Sequence, residues 1–439
     1  MKILLIHPKY THGPVTYKDR GKLREKIYTN SETTLAAVAA SIPPGNNIRV
    51  IHETYEDIDY SKDYDLVGIT CFTLFANQAY EIADKFKDMN VPVILGGHHP
   101  SAIPEEAIKH SDSVVIGESE YVFPEIIKDL KNGKLKLIYQ SDKPVKAEDI
   151  PPLRRDIIPY KPFTEGMKIT RGCPHGCKFC SITHFFNHSY RKRPIADIIK
   201  EMKSFPNKYM YIHDANLTVD PEYSKELFKT MIKEKINKKW SANANIYTLG
   251  KDEELLTLAR KAGCVSWTVG FESFLQSSLN GVDKFENKVE NFSNWIKPIR
   301  NHGMGINGLF MFGFDHDTPE VFDITIKALD QLEIDAAEFN IVTPIPGTPL
   351  FDKMKKEDRI LTYDWSKYSQ VEVVFRPKNM TPQELYDGTR RVVKDFHSYE
   401  KMLKRFARLP KLSFTTSTLT TLISMNIHRY IWYKRDFGI

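Results

Sequence analysis

Three cysteines, Cys173, Cys177 and Cys180, form a C-x3-C-x2-C array in the stretch Arg171-Gly-Cys-Pro-His-Gly-Cys-Lys-Phe-Cys-Ser181. Thiolates are the usual ligands of iron–sulfur clusters, and a 4Fe–4S cubane that only carries electrons takes four of them. Three on one short loop leave the fourth iron open to a small chelating molecule, as catalytic metal sites keep one position free. Zinc is the alternative chemistry. It requires a fourth ligand, and His184 is better placed for that than His175, which lies inside the loop.

The array follows a short apolar run, 167–170, and the chain beyond it alternates such runs with amphipathic stretches. The pattern predicts strands at 167–170, 209–213, 240–245, 265–271, 305–312 and 337–343, with helices such as 194–204, 221–233 and 252–262 between them. Six units make a partial (β/α)6 barrel, whose chemistry belongs at the carboxyl ends of the strands. Those ends carry Asp214 and Asn216, Asn243 and Asn245, Glu272 and Ser273, and the stretch 310–314 with Phe312. Asp214 or Glu272 alone would more often be a solvated loop acid or a helix N-cap; what raises them is position at successive strand ends around one cysteine loop.

The first part of the chain reads as a separate parallel α/β sheet. Strands are expected at 2–6, 48–52, 66–70, 91–95 and 113–116, and helices at 31–41 and 77–88, the second with Ala79, Ile82, Ala83 and Phe86 on one face. Ligands of such sheets bind beyond the carboxyl ends of the strands. Here these ends read His7-Pro-Lys9, Thr70-Cys71-Phe72-Thr73, Gly96-Gly97-His98-His99-Pro100 and Gly117-Glu118. Cys71 reads either as a site residue or as a small buried thiol. A polar, Pro-rich connector separates the halves, giving expected domains of 1–145, a linker at 146–165, a barrel at 166–350 and an extension at 351–439.

The 439 residues, 41% hydrophobic and 27% charged, suit two or three globular domains. No run of eighteen apolar residues occurs, and five cysteines with three in one loop suit a reducing, cytoplasmic setting. Between 397 and 439 stand eight Lys or Arg and two acids, which equals the whole net charge of +6. The remainder is neutral, which argues against a nucleic-acid partner. The basic tail is also aromatic, as in Ile427-His-Arg-Tyr-Ile-Trp-Tyr-Lys-Arg435; it could lie on an anionic membrane surface or pack on the barrel with its charges outward.

The cysteine array, with Phe179 before its last member, resembles the signature of the radical S-adenosylmethionine (SAM) enzymes. The strand ends of the first domain, with "LGGHHPSAIPEEA" and "VVIGESEYVFPEII", resemble the cobalamin-binding domain that precedes many of those barrels; "TPIPGTPLFDKM" is similar to the same group, and the segment beyond it resembles the C-terminal extension of hopanoid methylases. The D-x-H-x-x-G motif of the classical cobalamin domain is absent after the first strand, where His7 and His12 have other neighbours.

The resemblance implies a 4Fe–4S cluster on the three cysteines. SAM would contact Phe179, Asp214, Asn216, Asn243, Asn245, Glu272, Ser273 and Phe312, and cobalamin would contact Thr70, Cys71, Phe72, Gly96, Gly97, His98, Gly117 and Glu118. It implies a methyltransferase acting on an unactivated carbon through a 5′-deoxyadenosyl radical and methylcobalamin, served by an electron donor such as flavodoxin or ferredoxin. The alternatives are a cyclisation, oxidation or coupling driven by the same radical, or a non-catalytic cobalamin or iron–sulfur sensor. No residue selects the substrate; the extension and tail favour a lipid or other large apolar molecule.

Overall fold

The computed structural model describes residues 1–11, 33–158, 162–332, 334–408 and 416–436. His12, part of the linker and Lys411 lie outside the described residues. Among the described residues the chain builds two six-stranded, all-parallel sheets.

The first sheet contains β1 (Lys2–His7), β2 (Asn47–His52), β3 (Leu66–Thr70), β4 (Val93–Gly96), β5 (Ser113–Ile116) and β6 (Ile138–Gln140), in the order β2-β1-β3-β4-β5-β6. Its strands are apolar on both faces because both are covered. Ile3 and Leu5 pack with Leu35 and Ala39 of helix Thr33–Ser41, and Leu4 and Ile6 with Ala79 and Ala83 of helix Ala76–Asp88. The sequence reading has no counterpart to β6: it is three residues long with only Tyr139 buried, too short to show a period.

The second sheet contains β7 (Thr164–Met167), β10 (Tyr209–Ile212), β11 (Lys239–Ala244), β12 (Cys264–Glu272), β13 (Gly305–Phe312) and β14 (Ala336–Ile341), in the order β14-β13-β12-β11-β10-β7. It is the expected six-unit partial barrel, open between β14 and β7. Trp240 and Trp267, with rings edge to face at 5.4 Å, and the stacked Phe271 and Phe310 fill the layer between sheet and helices. The first barrel strand lies earlier than the expected 167–170. The chain breaks after Met167 and resumes as β8 (Thr170–Gly172), which pairs antiparallel with β9 (Tyr190–Lys192). The break arises because the amides of Ile169 and Thr170 bond to the Asp214 carboxylate, not to a neighbouring strand.

The extension is mostly helical and ties the halves together. Phe351, Trp365, Tyr368 and Val374 join the core of the first sheet, and the Trp365 indole donates to Glu106 at 2.7 Å. Helix Pro382–Phe396 opens with a reciprocal capping box between Thr381 and Glu384. Helix Thr416–Asp436 packs against β12 and β14 and buries Thr418, Leu422, Asn426 and Tyr433. The Tyr433 hydroxyl accepts from Phe339 N and donates to Phe339 O, satisfying the free edge of β14. Among the described residues no helix is long and apolar enough to cross a membrane.

Candidate active site

The cysteine loop is held from several directions. Asp214, at the end of β10 and buried, accepts the amides of Ile169 and Thr170 at 2.8 Å each and the Thr170 hydroxyl at 2.7 Å. Burial pushes its carboxyl up to about 6 against the pull of these bonds. Gly172 has φ +85°, and a Cβ there would stand 2.2 Å from the Ser189 carbonyl oxygen, so only glycine turns the chain into Cys173. Further on, Lys178 donates its amide to Val282 O and accepts from Leu350 N, both at 3.1 Å. Cys173 and Cys177 are buried, Cys180 is partly exposed, and none forms a disulfide. The His175 ring is turned toward Asn216 and Glu286, and not onto the thiols.

A buried cation faces these thiols, one that the strand-end rule does not find. Lys284 pairs with Glu272 at 3.4 Å and with Glu286 at 3.8 Å. Burial works against its charge, but Glu272 beside it more than offsets this and the net shift is upward. Burial pushes the Cys177 thiol up to about 12, and Lys284 acts against this. A positive charge beside three thiols suits the anionic sulfurs of a cluster. Glu286 Oε1 and Asn287 Oδ1 are buried nearby without hydrogen-bond partners. Such acceptors fit a ligand bringing ammonium or hydroxyl donors, as SAM does.

The other expected SAM contacts have varied surroundings. Glu272 ends β12 at φ +65°, and its neighbour Ser273 accepts the amide of Leu275. Asn216 accepts from the Thr218 amide and hydroxyl at 3.0 Å each. Asn243 donates to Asp214 O at 2.7 Å and accepts from the Tyr211 hydroxyl at 2.8 Å. Asn245 caps helix Ile246–Lys251 through Thr248 N. Phe179 sits 5.9 Å from Phe314. Phe312 requires a correction: it is 1% exposed and packed on Phe322 and Phe339 in the sheet–helix layer, because strand alternation turns Met311 to the other face.

The strand ends of the first sheet form one wall of a cleft. Thr70, Phe72, Gly96, Gly97, His98, Gly117 and Glu118 line it, and Lys168, Arg171, Phe185 and Phe186 from around the cysteine loop line the opposite wall. Gly97 has φ +108°, and its missing Cβ would meet Cys71 O at 2.9 Å; a Cβ on Gly117 would project into open space. His98 is stacked between Phe72 at 4.9 Å and Phe185 at 4.2 Å, which bridges the two walls. Burial first, then Lys168, lowers its pKa to about 3, so the ring is neutral, and its buried Nδ1 has no partner. The open space beside Gly117, the stacked rings and an orphaned imidazole nitrogen fit a corrin. Cys71 is a correction. It is 0% exposed, in the core under β3, with its thiol directed at Phe72 O at 3.6 Å; its backbone continues the β4 ladder and so turns the side chain inward.

Glu118 does more than line the cleft. It accepts from Arg171 at 2.6 Å and Arg191 at 2.7 Å, and Arg171 also pairs with Glu120 at 2.7 Å. Arg171 and Arg191 are directly opposed across the β8–β9 hairpin, an arrangement that repels unless acids share it. The acidic end of β5 thereby fixes the hairpin that delivers Cys173.

Residues 167–329 match the family model of the radical SAM superfamily, and residues 43–127 match that of the B12 binding domain. The chain belongs to the radical SAM enzymes that carry a B12-binding domain. It is 32% identical over 359 residues to the bacteriochlorophyllide d C-12(1)-methyltransferase of Chlorobaculum tepidum, with 79% of this chain and 78% of that protein covered. It is 25% identical to the anaerobic magnesium-protoporphyrin IX monomethyl ester cyclase of Rubrivivax gelatinosus, over 93% of this chain and 79% of that protein. The fold matches the cobalamin-dependent SAM radical enzyme OxsB, solved with aqua-cobalamin and SAM bound, at a TM-score of 0.65 and 14% identity, over 98% of this chain and 71% of that one. The radical SAM domain implies a 4Fe–4S cluster and SAM, and the other domain implies cobalamin.

Proposed function

We propose that the protein is a cobalamin-dependent C-methyltransferase acting on an unactivated carbon of a large, flat, apolar substrate, of the kind the tetrapyrrole-modifying relatives are named for. The observation that carries this reading is the shared cleft, with cobalamin-type strand ends on one wall and the segment following Cys180 on the other. When bound, the cluster with SAM supplies a hydrogen-abstracting radical and cobalamin a transferable methyl group.

The residues of this chain hold and orient. Cys173, Cys177 and Cys180 would bind three irons, and Lys284 would offset the cluster's charge. Glu272, Glu286 and Asn287 offer acceptors to the chelating amino acid and the ribose. Phe72, Phe185 and Phe186 keep water from the space between the walls, where a radical must meet only its substrate. An electron donor of the flavodoxin or ferredoxin type completes the system.

The test is product analysis after anaerobic reconstitution, with bacteriochlorophyllide-type tetrapyrroles as first substrates. S-Adenosylhomocysteine, 5′-deoxyadenosine and a methylated product formed together support the reading. Deoxyadenosine with an unmethylated, oxidised or cyclised product would assign the protein to the cyclase-like chemistry of its other relatives. Formation of neither nucleoside product would point to a sensor.

A further inference from the structure

The barrel holds a second cavity, of about 450 Å³, at the amino-terminal half of the strands and away from the cysteine loop. Helix Thr416–Asp436 covers it, with Thr421, Ser424, Met425, His428 and Arg429 in its wall. Its volume lies in the range of small-molecule sites, roughly 300–1,000 Å³, and its chemistry is asymmetric. On β13, Asn307 is 5% exposed; its Nδ2 reaches the Thr268 hydroxyl at 3.5 Å, while its buried Oδ1 has no partner. Buried acceptors in this condition are rare and expect a donor.

On β11 stands Lys239, which forms no ion pair among the described residues. Arg429, on the helix, is already neutralised by Glu338. Among the described residues, Lys239 is therefore a cation of the lining that has no acidic partner. Tyr209, stacked with Phe163 at 5.1 Å, and Tyr211 give it aromatic walls.

We propose that this cavity is a second small-molecule site, for a hydroxylated aromatic carboxylate. The carboxylate meets Lys239, the ring lies against Tyr209 and Tyr211, and the hydroxyl donates to Asn307 Oδ1. The site is independent of the cluster and of the cobalamin cleft, since none of its lining residues belongs to either.

The probe is para-hydroxyphenylpropionate on the full chain, followed by saturation-transfer NMR and calorimetry. Phenylpropionate and para-hydroxyphenylpropanol serve as controls lacking one group each. Each control is expected to bind about tenfold more weakly, the worth of one modest hydrogen bond or ion contact. Lys239→Met, at a half-buried position that leaves the core intact, should weaken the acid to the level of the alcohol and leave the alcohol unchanged. Asn307→Leu should erase the preference for the hydroxyl. Absence of binding, binding displaced by SAM, or affinities that Lys239→Met leaves unchanged would each overturn the proposal.

Discussion

Replacing Asp214 by Asn alters the support of the cysteine loop by a single group. Asp214 Oδ2 accepts both the amide and the hydroxyl of Thr170, and Oδ1 accepts the amide of Ile169. In the Asn variant one of these positions becomes an NH2 facing donors. With the NH2 at the Oδ1 position, the bond from Ile169 N is lost, at about 1.5–3 kcal/mol, and the two bonds at Oδ2 are weakened to those of a neutral acceptor. A buried charge is removed at the same time: a rise from 3.8 to about 6 corresponds to about 3 kcal/mol held against the ionised form with its hydrogen bonds already counted. The two effects are of similar size, so near neutral pH the expected signature is a loosening of residues 168–172 with a global stability change within about 2 kcal/mol of zero.

The pH dependence has a definite sign. The folded-state pKa is raised, so the folded protein binds the proton more tightly, and the wild type gains stability as pH falls from about 6 toward 3.8. The Asn variant lacks this gain, and the gap between the two proteins widens on acidification. Urea unfolding of the cofactor-free chains on either side of pH 6 reads both effects, and iron content after anaerobic reconstitution reads the loop. Equal pH dependence in both proteins, or full iron incorporation in the Asn variant, would refute the reasoning.

Three other outcomes are expected. Substituting Ala for Cys173, Cys177 or Cys180, one at a time, should abolish 5′-deoxyadenosine formation and the cluster's visible absorbance, since three thiolates are the minimum for this open-iron cubane. Glu118→Gln leaves Arg191 without its acidic partner and Arg171 with only Glu120; a cost of about 3 kcal/mol for breaking a largely buried pair should split a single calorimetric transition into two as the domains uncouple. Tyr433→Phe leaves the amide and carbonyl of Phe339 unpaired on the β14 edge, and urea denaturation should show a loss of about 1–3 kcal/mol with the cobalamin cleft unaffected.

The residues legible in the sequence are those whose roles are local. The cysteine spacing, the glycine turns at 96, 97 and 117 and the two strand–helix alternations are set by neighbours along the chain, and the sheets follow them. What escaped the sequence depends on contacts between distant segments. Lys284 matters because the fold brings it to the thiols; His98 stands among the expected cobalamin contacts, but its stacking under Phe185 is visible only in three dimensions. Asp214 stands at the end of an expected strand, but its partners, Ile169 and Thr170, are visible only in three dimensions. The last helix was ambiguous for a physical reason. Its buried face carries Thr418 and Asn426, which bond to Gly303 O and Asp335 O, so a polar side meets backbone carbonyls and no apolar stripe marks it.

The central claim is that one cleft places cobalamin within reach of the cluster on Cys173, Cys177 and Cys180. Electron paramagnetic resonance of the reduced, cobalamin-loaded protein tests it without any substrate. The cleft predicts magnetic coupling between the reduced cluster and cob(II)alamin, seen as broadening or splitting absent from protein carrying either group alone. A spectrum equal to the sum of the two separate signals, with both groups fully loaded, would contradict it.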